Sequence, residues 1–75
     1  MGRVTEIFAE RIKLLRESKG LGVRELANIL GISHSSISMY ENCKREPTVS
    51  ICKLFADYFN VSCDYLLGLT DERYK

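Results

Sequence analysis

The spacing of the apolar residues constrains this chain more than any other feature: from Phe8 to Leu67 they recur at intervals of three and four, not two. A period near 3.6 gathers them on one stripe of an α-helix, whereas a half-buried strand needs alternation. One proline and five glycines cut that pattern into short pieces. Phe8, Ile12 and Leu15 predict a first helix over residues 6–18, with Thr5 as its N-cap and Gly20 closing it. Leu26, Ala27 and Leu30 share one face of a second helix, Val23–Leu30, ended by Gly31, which tolerates a left-handed conformation. Ser33 reads as the N-cap of a third helix over residues 34–42, with Ile37 and Tyr40 turned inward.

After the polar loop Cys43–Glu46 and Pro47, Thr48 caps a fourth helix over residues 49–59. Its apolar stripe is Val49, Cys52, Phe55, Ala56 and Phe59. Ser62 caps a short fifth helix that runs through Leu67 and stops at Gly68. The prediction is an all-α, compact five-helix bundle occupying residues 1–68, with 69–75 as a loosely held tail.

Size and composition narrow the function. The chain has 75 residues, room for one small domain, and its 45% hydrophobic content is enough to drive folding. No apolar run exceeds three residues, so a membrane span and a secretory signal are not expected, and Glu6 stands where a myristoylation signal needs Ser or Thr. The cytoplasm is the expected location. Cys43, Cys52 and Cys63 lack the close pairing of a zinc site and are odd in number, so neither metal nor disulfides are expected, and no cofactor. Cys52 and Cys63 read as small buried hydrophobes. The absence of paired carboxylates, a phosphate loop or a nucleophile elbow beside the lone His34 argues against an enzyme. A net charge of +1 is modest for a nucleic-acid binder. It is unevenly spread, however: residues 1–47 carry a net +2 and residues 48–75 a net −1.

Two short helices joined by a glycine turn, the second opened by a serine cap, have the layout of a DNA-binding helix-turn-helix, here about residues 22–42. The stretch LGVRELANILGISHSSISMYENCKREP, Leu21 to Pro47, resembles the Cro and lambda-type phage repressors. RIKLLRESKG upstream is similar to that family's first helix and NVSCDYLLG downstream to its closing helix. The resemblance covers about residues 8–68.

The resemblance implies a bacterial or phage transcriptional regulator that binds double-stranded DNA, with the third helix in the major groove. Counted from Ser33, the side chains of His34, Ser35, Ser38 and Met39 project toward base edges, and Ser36 lies at the boundary. Gly22 and Val23 at the head of the second helix, with Ser36, Asn42, Lys44 and Arg45, are the implied phosphate contacts, and Arg24 and Lys19 are possible assistants. Arg16 and Glu41 are similar to a charged pair that links the family's first helix to the end of its recognition helix. Two departures stand out. Gly22 and Val23 replace the usual Ser or Thr followed by Gln, and Cys43 replaces a glycine at a position that commonly needs a left-handed backbone.

One recognition helix per chain implies a homodimer, with half-sites about 10 base pairs apart. Tyr65, Leu67, Leu69 and Tyr74 are the dimer candidates, Tyr65 being slightly better suited to the core. A second reading, a protein-binding module such as an antitoxin or regulatory subunit, draws on the apolar Val23, Ile29 and Met39 and a protein partner. Leu14 is a further apolar residue where polar ones are common.

Overall fold

In the computed structural model, residues 3–74 are described; Met1, Gly2 and Lys75, assigned above to the domain and the tail, lie outside the described residues. Five helices follow one another: α1 (Arg3–Ser18), α2 (Val23–Leu30), α3 (His34–Glu41), α4 (Val49–Phe59) and α5 (Cys63–Leu67). No strand occurs among the described residues. Four of the five helices follow the expected bounds to within a residue or so.

The exception is α1, which begins at Arg3 rather than residue 6. Thr5 is therefore not its cap but lies inside the helix at 1% exposure. The reason is periodicity: Thr5 precedes Phe8 and Ala9 by three and four residues, so one more turn extends the buried face Thr5, Phe8, Ala9, Ile12, Leu15. The other caps form as read. Ser33, Thr48 and Ser62 each accept a hydrogen bond from the backbone amide three residues on.

Phe8 is the hub of the core. Fully buried, it meets Tyr40 of α3 and Phe55 of α4 edge-on, with ring centroids 5.8 and 5.6 Å apart. Aromatic pairs favour this geometry because a positive ring edge faces a negative ring face. Ile12, Leu26, Ile37 and Leu66 fill the space around them without exposure. Helix α1 packs on α3 and α5, α2 on α3 and α4, and α4 on α5. The whole measures 28 × 26 × 20 Å.

Three expectations are corrected. Val49, read as part of the α4 stripe, is 87% exposed, because the first turn of α4 projects past the bundle. Cys52 is buried as expected but Cys63 is half-buried, since α5 opens at that residue beside a groove. The tail is not loose. Its backbone returns along α5: the Leu69 amide donates to the Asp64 carbonyl at 2.9 Å, and the Ser62 amide to the Arg73 carbonyl at 2.7 Å. Arg11 holds the returning chain from α1. Its guanidinium donates to the carbonyls of Tyr65 and Thr70, pairs with Asp71 at 2.9 Å and stacks 4.2 Å from the Tyr65 ring centroid. Gly68 makes the return possible. It sits at φ +80°, and a Cβ there would come 2.6 Å from Ile7 Cδ1.

Candidate nucleic-acid interface

The turn between α2 and α3 is set by two adjacent devices. Gly31 adopts φ 73°, ψ 28°, and its amide and that of Ile32 both donate to the Ala27 carbonyl, at 2.8 and 3.1 Å. Ser33 then returns to extended backbone and accepts from the Ser36 amide at 3.1 Å, which restarts the helix. Ala27, 4% exposed, and Ile32, half-buried against the core, let the two helices close on each other. Nothing in this turn depends on a long side chain, so the angle between α2 and α3 follows from backbone bonds and close packing.

Inward residues Ile37 and Tyr40, at 0% and 3% exposure, fix which face of α3 remains outside. His34 and Ser35 are exposed at its first turn, while Ser38 and Met39 are half-buried at the flank. Ser36 is half-buried too, and its hydroxyl lies 2.9 Å from that of Ser33, inside the cap. The far end of α3 closes with a full Schellman pattern: the Lys44 amide donates to the Met39 carbonyl at 2.8 Å and the Cys43 amide to Tyr40 at 3.3 Å. Cys43 occupies the left-handed position at φ 59°, a conformation poorly suited to a residue with a β carbon. Asn42, exposed, donates from its side-chain Nδ2 to the Ser38 carbonyl at 2.8 Å. Lys44 and Arg45 follow, both exposed.

Arg16 ties this assembly to the scaffold. Its Nε and Nη2 donate to Glu41 at 2.7 and 3.0 Å, and Nη1 to the Leu21 carbonyl at 2.8 Å. One guanidinium thus fastens the end of α3 and the entry to α2 to α1. The side chains of Arg16 and Glu41 are only 12% and 8% exposed. Hydrogen bonding to Glu41 raises the Arg16 pKa above its ordinary value, against the opposing effect of burial.

At the head of α2 the geometry adds a residue the sequence reading passed over. Glu25 turns back so that its Oε1 accepts from the Gly22 amide at 2.9 Å. With glycine at the N-cap there is no side chain to cap the first turn, and this carboxylate supplies half of a capping box. The Gly22-x-x-Glu25 spacing carries that signal. Its consequence is chemical: the Gly22 amide, read as a phosphate donor, is already bonded to an anion. Val23, half-buried, begins the helix, and its amide and that of Arg24 have no acceptor within the helix by geometry. Lys19 is partly engaged, its ammonium 5.4 Å from the Tyr58 ring centroid.

Residues 12–66 match the family model described as helix-turn-helix. The chain belongs to the helix-turn-helix family, of the Cro and lambda-repressor type. Among helix-turn-helix relatives it is 35% identical over 66 residues to the uncharacterized transcriptional regulator YobD of Bacillus subtilis, covering 88% of this chain and 59% of that one. It is 36% identical over 59 residues to the transcriptional regulator AnsR of the same organism, covering 79% and 51%. Among solved structures it is similar to a hypothetical transcription factor from Neisseria, with TM-score 0.79 at 25% identity over 85% of this chain and 74% of that one. The chain therefore spans between half and two thirds of the length of these two relatives. In helix-turn-helix terms α2 and α3 are the motif, and Arg16–Glu41 and the Cys43 turn hold its second helix.

The dimer candidates separate. Tyr65 is 6% exposed, its ring covered by Arg11 and lying 5.7 Å from the Arg73 guanidinium, so it belongs to the core and is withdrawn from the dimer surface. Leu67 is half-buried, and Leu69 and Tyr74 are each 72% exposed. Among the described residues no group of three or more His, Cys, Asp or Glu side chains is placed to hold a metal ion, and no helix is long and apolar enough to cross a membrane.

Proposed function

We propose that the chain is a sequence-specific, DNA-binding transcriptional regulator of the cytoplasm that acts as a repressor and works without catalysis. The observation that carries this reading is the exposed first turn of α3, held at a fixed angle by the Gly31 turn and the Arg16–Glu41 fork in a helix-turn-helix chain. In this reading α3 enters the major groove. His34 and Ser35 reach base edges first, Ser38 and Met39 follow at the flank, and Met39 offers apolar contact to a thymine methyl. Lys44 and Arg45 take phosphates at one end, Asn42 joining them only through the second hydrogen of the Nδ2 that bonds the Ser38 carbonyl, and the α2 first turn takes one at the other through the Val23 amide. Gly22 and Ser36 contribute only when DNA displaces the bonds to Glu25 and Ser33.

A single short recognition helix with no arginine, asparagine or glutamine on its face gives limited discrimination. The proposal therefore includes a homodimer on a two-fold site, with Leu67, Leu69 and Tyr74 as contact residues. The test is selection of bound sequences from a random duplex pool. A symmetric motif with half-sites about one helical turn apart supports the reading. Salt-labile retention without any enriched motif refutes it and favours a chain whose partner is another protein.

A further inference from the structure

The buried residues of α3 define its outward direction. At about 100° of rotation per residue, the line opposite Ile37 and Tyr40 passes through Ser35 and, at the C-cap, Asn42; Ser38 and Met39 stand about 50° to either side of it and His34 a quarter turn away. Two polar side chains near this face are already engaged. The Ser36 hydroxyl lies 2.9 Å from that of Ser33, inside the cap. Asn42 Nδ2 donates to the Ser38 carbonyl, so this amide is not free to present donor and acceptor together, the arrangement by which asparagine recognises adenine.

The outward side chains that remain differ in kind. Ser35 and Ser38 carry hydroxyls on one-carbon stems, and a hydroxyl that both donates and accepts bonds any base edge. Met39 is longer, half-buried, and ends in an apolar thioether and methyl. Thymine alone offers an apolar group, its C5 methyl, in the major groove. Adenine and cytosine present amino groups there and guanine two acceptors, which an apolar side chain strips of water without replacing it. Within this outward set, only Met39 prefers a single base.

We propose that Met39 sets the operator sequence through one thymine methyl in each half-site, and that the positions facing Ser35 and Ser38 are degenerate. This deepens the DNA reading of α3 and rests on it. The operator is then anchored on few bases, and a single side chain decides which. Glutamine is close to methionine in length and bonds adenine through N6 and N7, so Met39→Gln exchanges thymine for adenine at that position.

The test uses the full chain and the duplex selected from the random pool, with each thymine replaced in turn by deoxyuridine, which lacks only the C5 methyl. One thymine per half-site responds, each replacement weakening binding about fourfold, the effect of one buried methyl group. Any other base pair at that position weakens it by about tenfold. Met39→Ala binds the thymine and deoxyuridine duplexes equally, and selection repeated with Met39→Gln returns adenine at the same position. Thermal melts within about 4 °C of the parent show that both variants are folded, and the deoxyuridine series on the parent chain needs no variant. Full affinity for every deoxyuridine duplex, methyl dependence retained by Met39→Ala, or an unchanged motif from Met39→Gln overturns the assignment and leaves DNA binding standing. A parent chain that enriches no motif overturns the DNA reading, and the assignment falls with it.

Discussion

Arg16→Ala tests the link between scaffold and recognition helix. The guanidinium makes two bonds to Glu41 and one to the Leu21 carbonyl, and both charged side chains are nearly enclosed. Removing it leaves the Glu41 carboxylate enclosed with no cation and the Leu21 carbonyl without this donor. Breaking one partner of such a pair costs about 3–5 kcal/mol. A 75-residue domain of ordinary stability holds roughly 4–11 kcal/mol. The variant is therefore marginal, with a melting temperature lower by on the order of 15–30 °C. The informative control replaces both partners: Arg16→Met with Glu41→Leu strands no charge and recovers to within about 1 kcal/mol of the parent. Thermal melts by circular dichroism decide it. A single variant melting within about 4 °C of the parent refutes the reasoning, and so does a double variant as unstable as the single one. Because folded Arg16 has a raised pKa, the stability it contributes is present at all lower pH values on its account and is lost only as pH rises through that folded value, so deprotonation of Arg16 weakens nothing near neutrality.

Further outcomes follow from other residues. Cys43→Gly relieves about 1–2 kcal/mol of left-handed strain against roughly 0.5–1 kcal/mol of extra chain entropy, so urea titration shows a gain of about 0.5–1 kcal/mol; a loss means the thiol packs usefully. Lys44→Ala lowers the slope of log affinity against log salt by about one unit, and an unchanged slope removes Lys44 from the phosphate contacts. Arg11→Ala costs about 2–3 kcal/mol through two carbonyl bonds and the Tyr65 stack, whereas Asp71→Ala, at a fully open carboxylate, costs less than about 0.5 kcal/mol; equal losses contradict the clamp described for Arg11. Glu25→Ala frees the Gly22 amide, and gel-shift titration shows tighter DNA binding; weaker binding at equal fold stability excludes competition at that amide.

Sequence alone determined the local structure of this protein. A 3.6 period cannot be satisfied by strands, and Ser33, Thr48, Ser62, Gly31 and Gly68 mark helix ends by bonds that reach three or four residues. The inward face of α3 was legible for the same reason; at Cys43 only the family resemblance raised a left-handed backbone, against a rearranged loop, and the structure shows it at φ 59°. Tertiary structure decided what depends on residues distant in the chain. Thr5 looked like a cap because its hydroxyl suits one; its spacing to Phe8 and Ala9 also fits the buried face, and the bundle that covers it decides between the two. The tail has no period to read, and what orders it is an arginine more than fifty residues away, reaching carbonyls whose position no side-chain pattern encodes. Tyr65 leaned only slightly toward the core in the sequence, and Arg11 closing over its ring decides it. Local bonds are written in short spacings, whereas burial is a property of the whole packed chain.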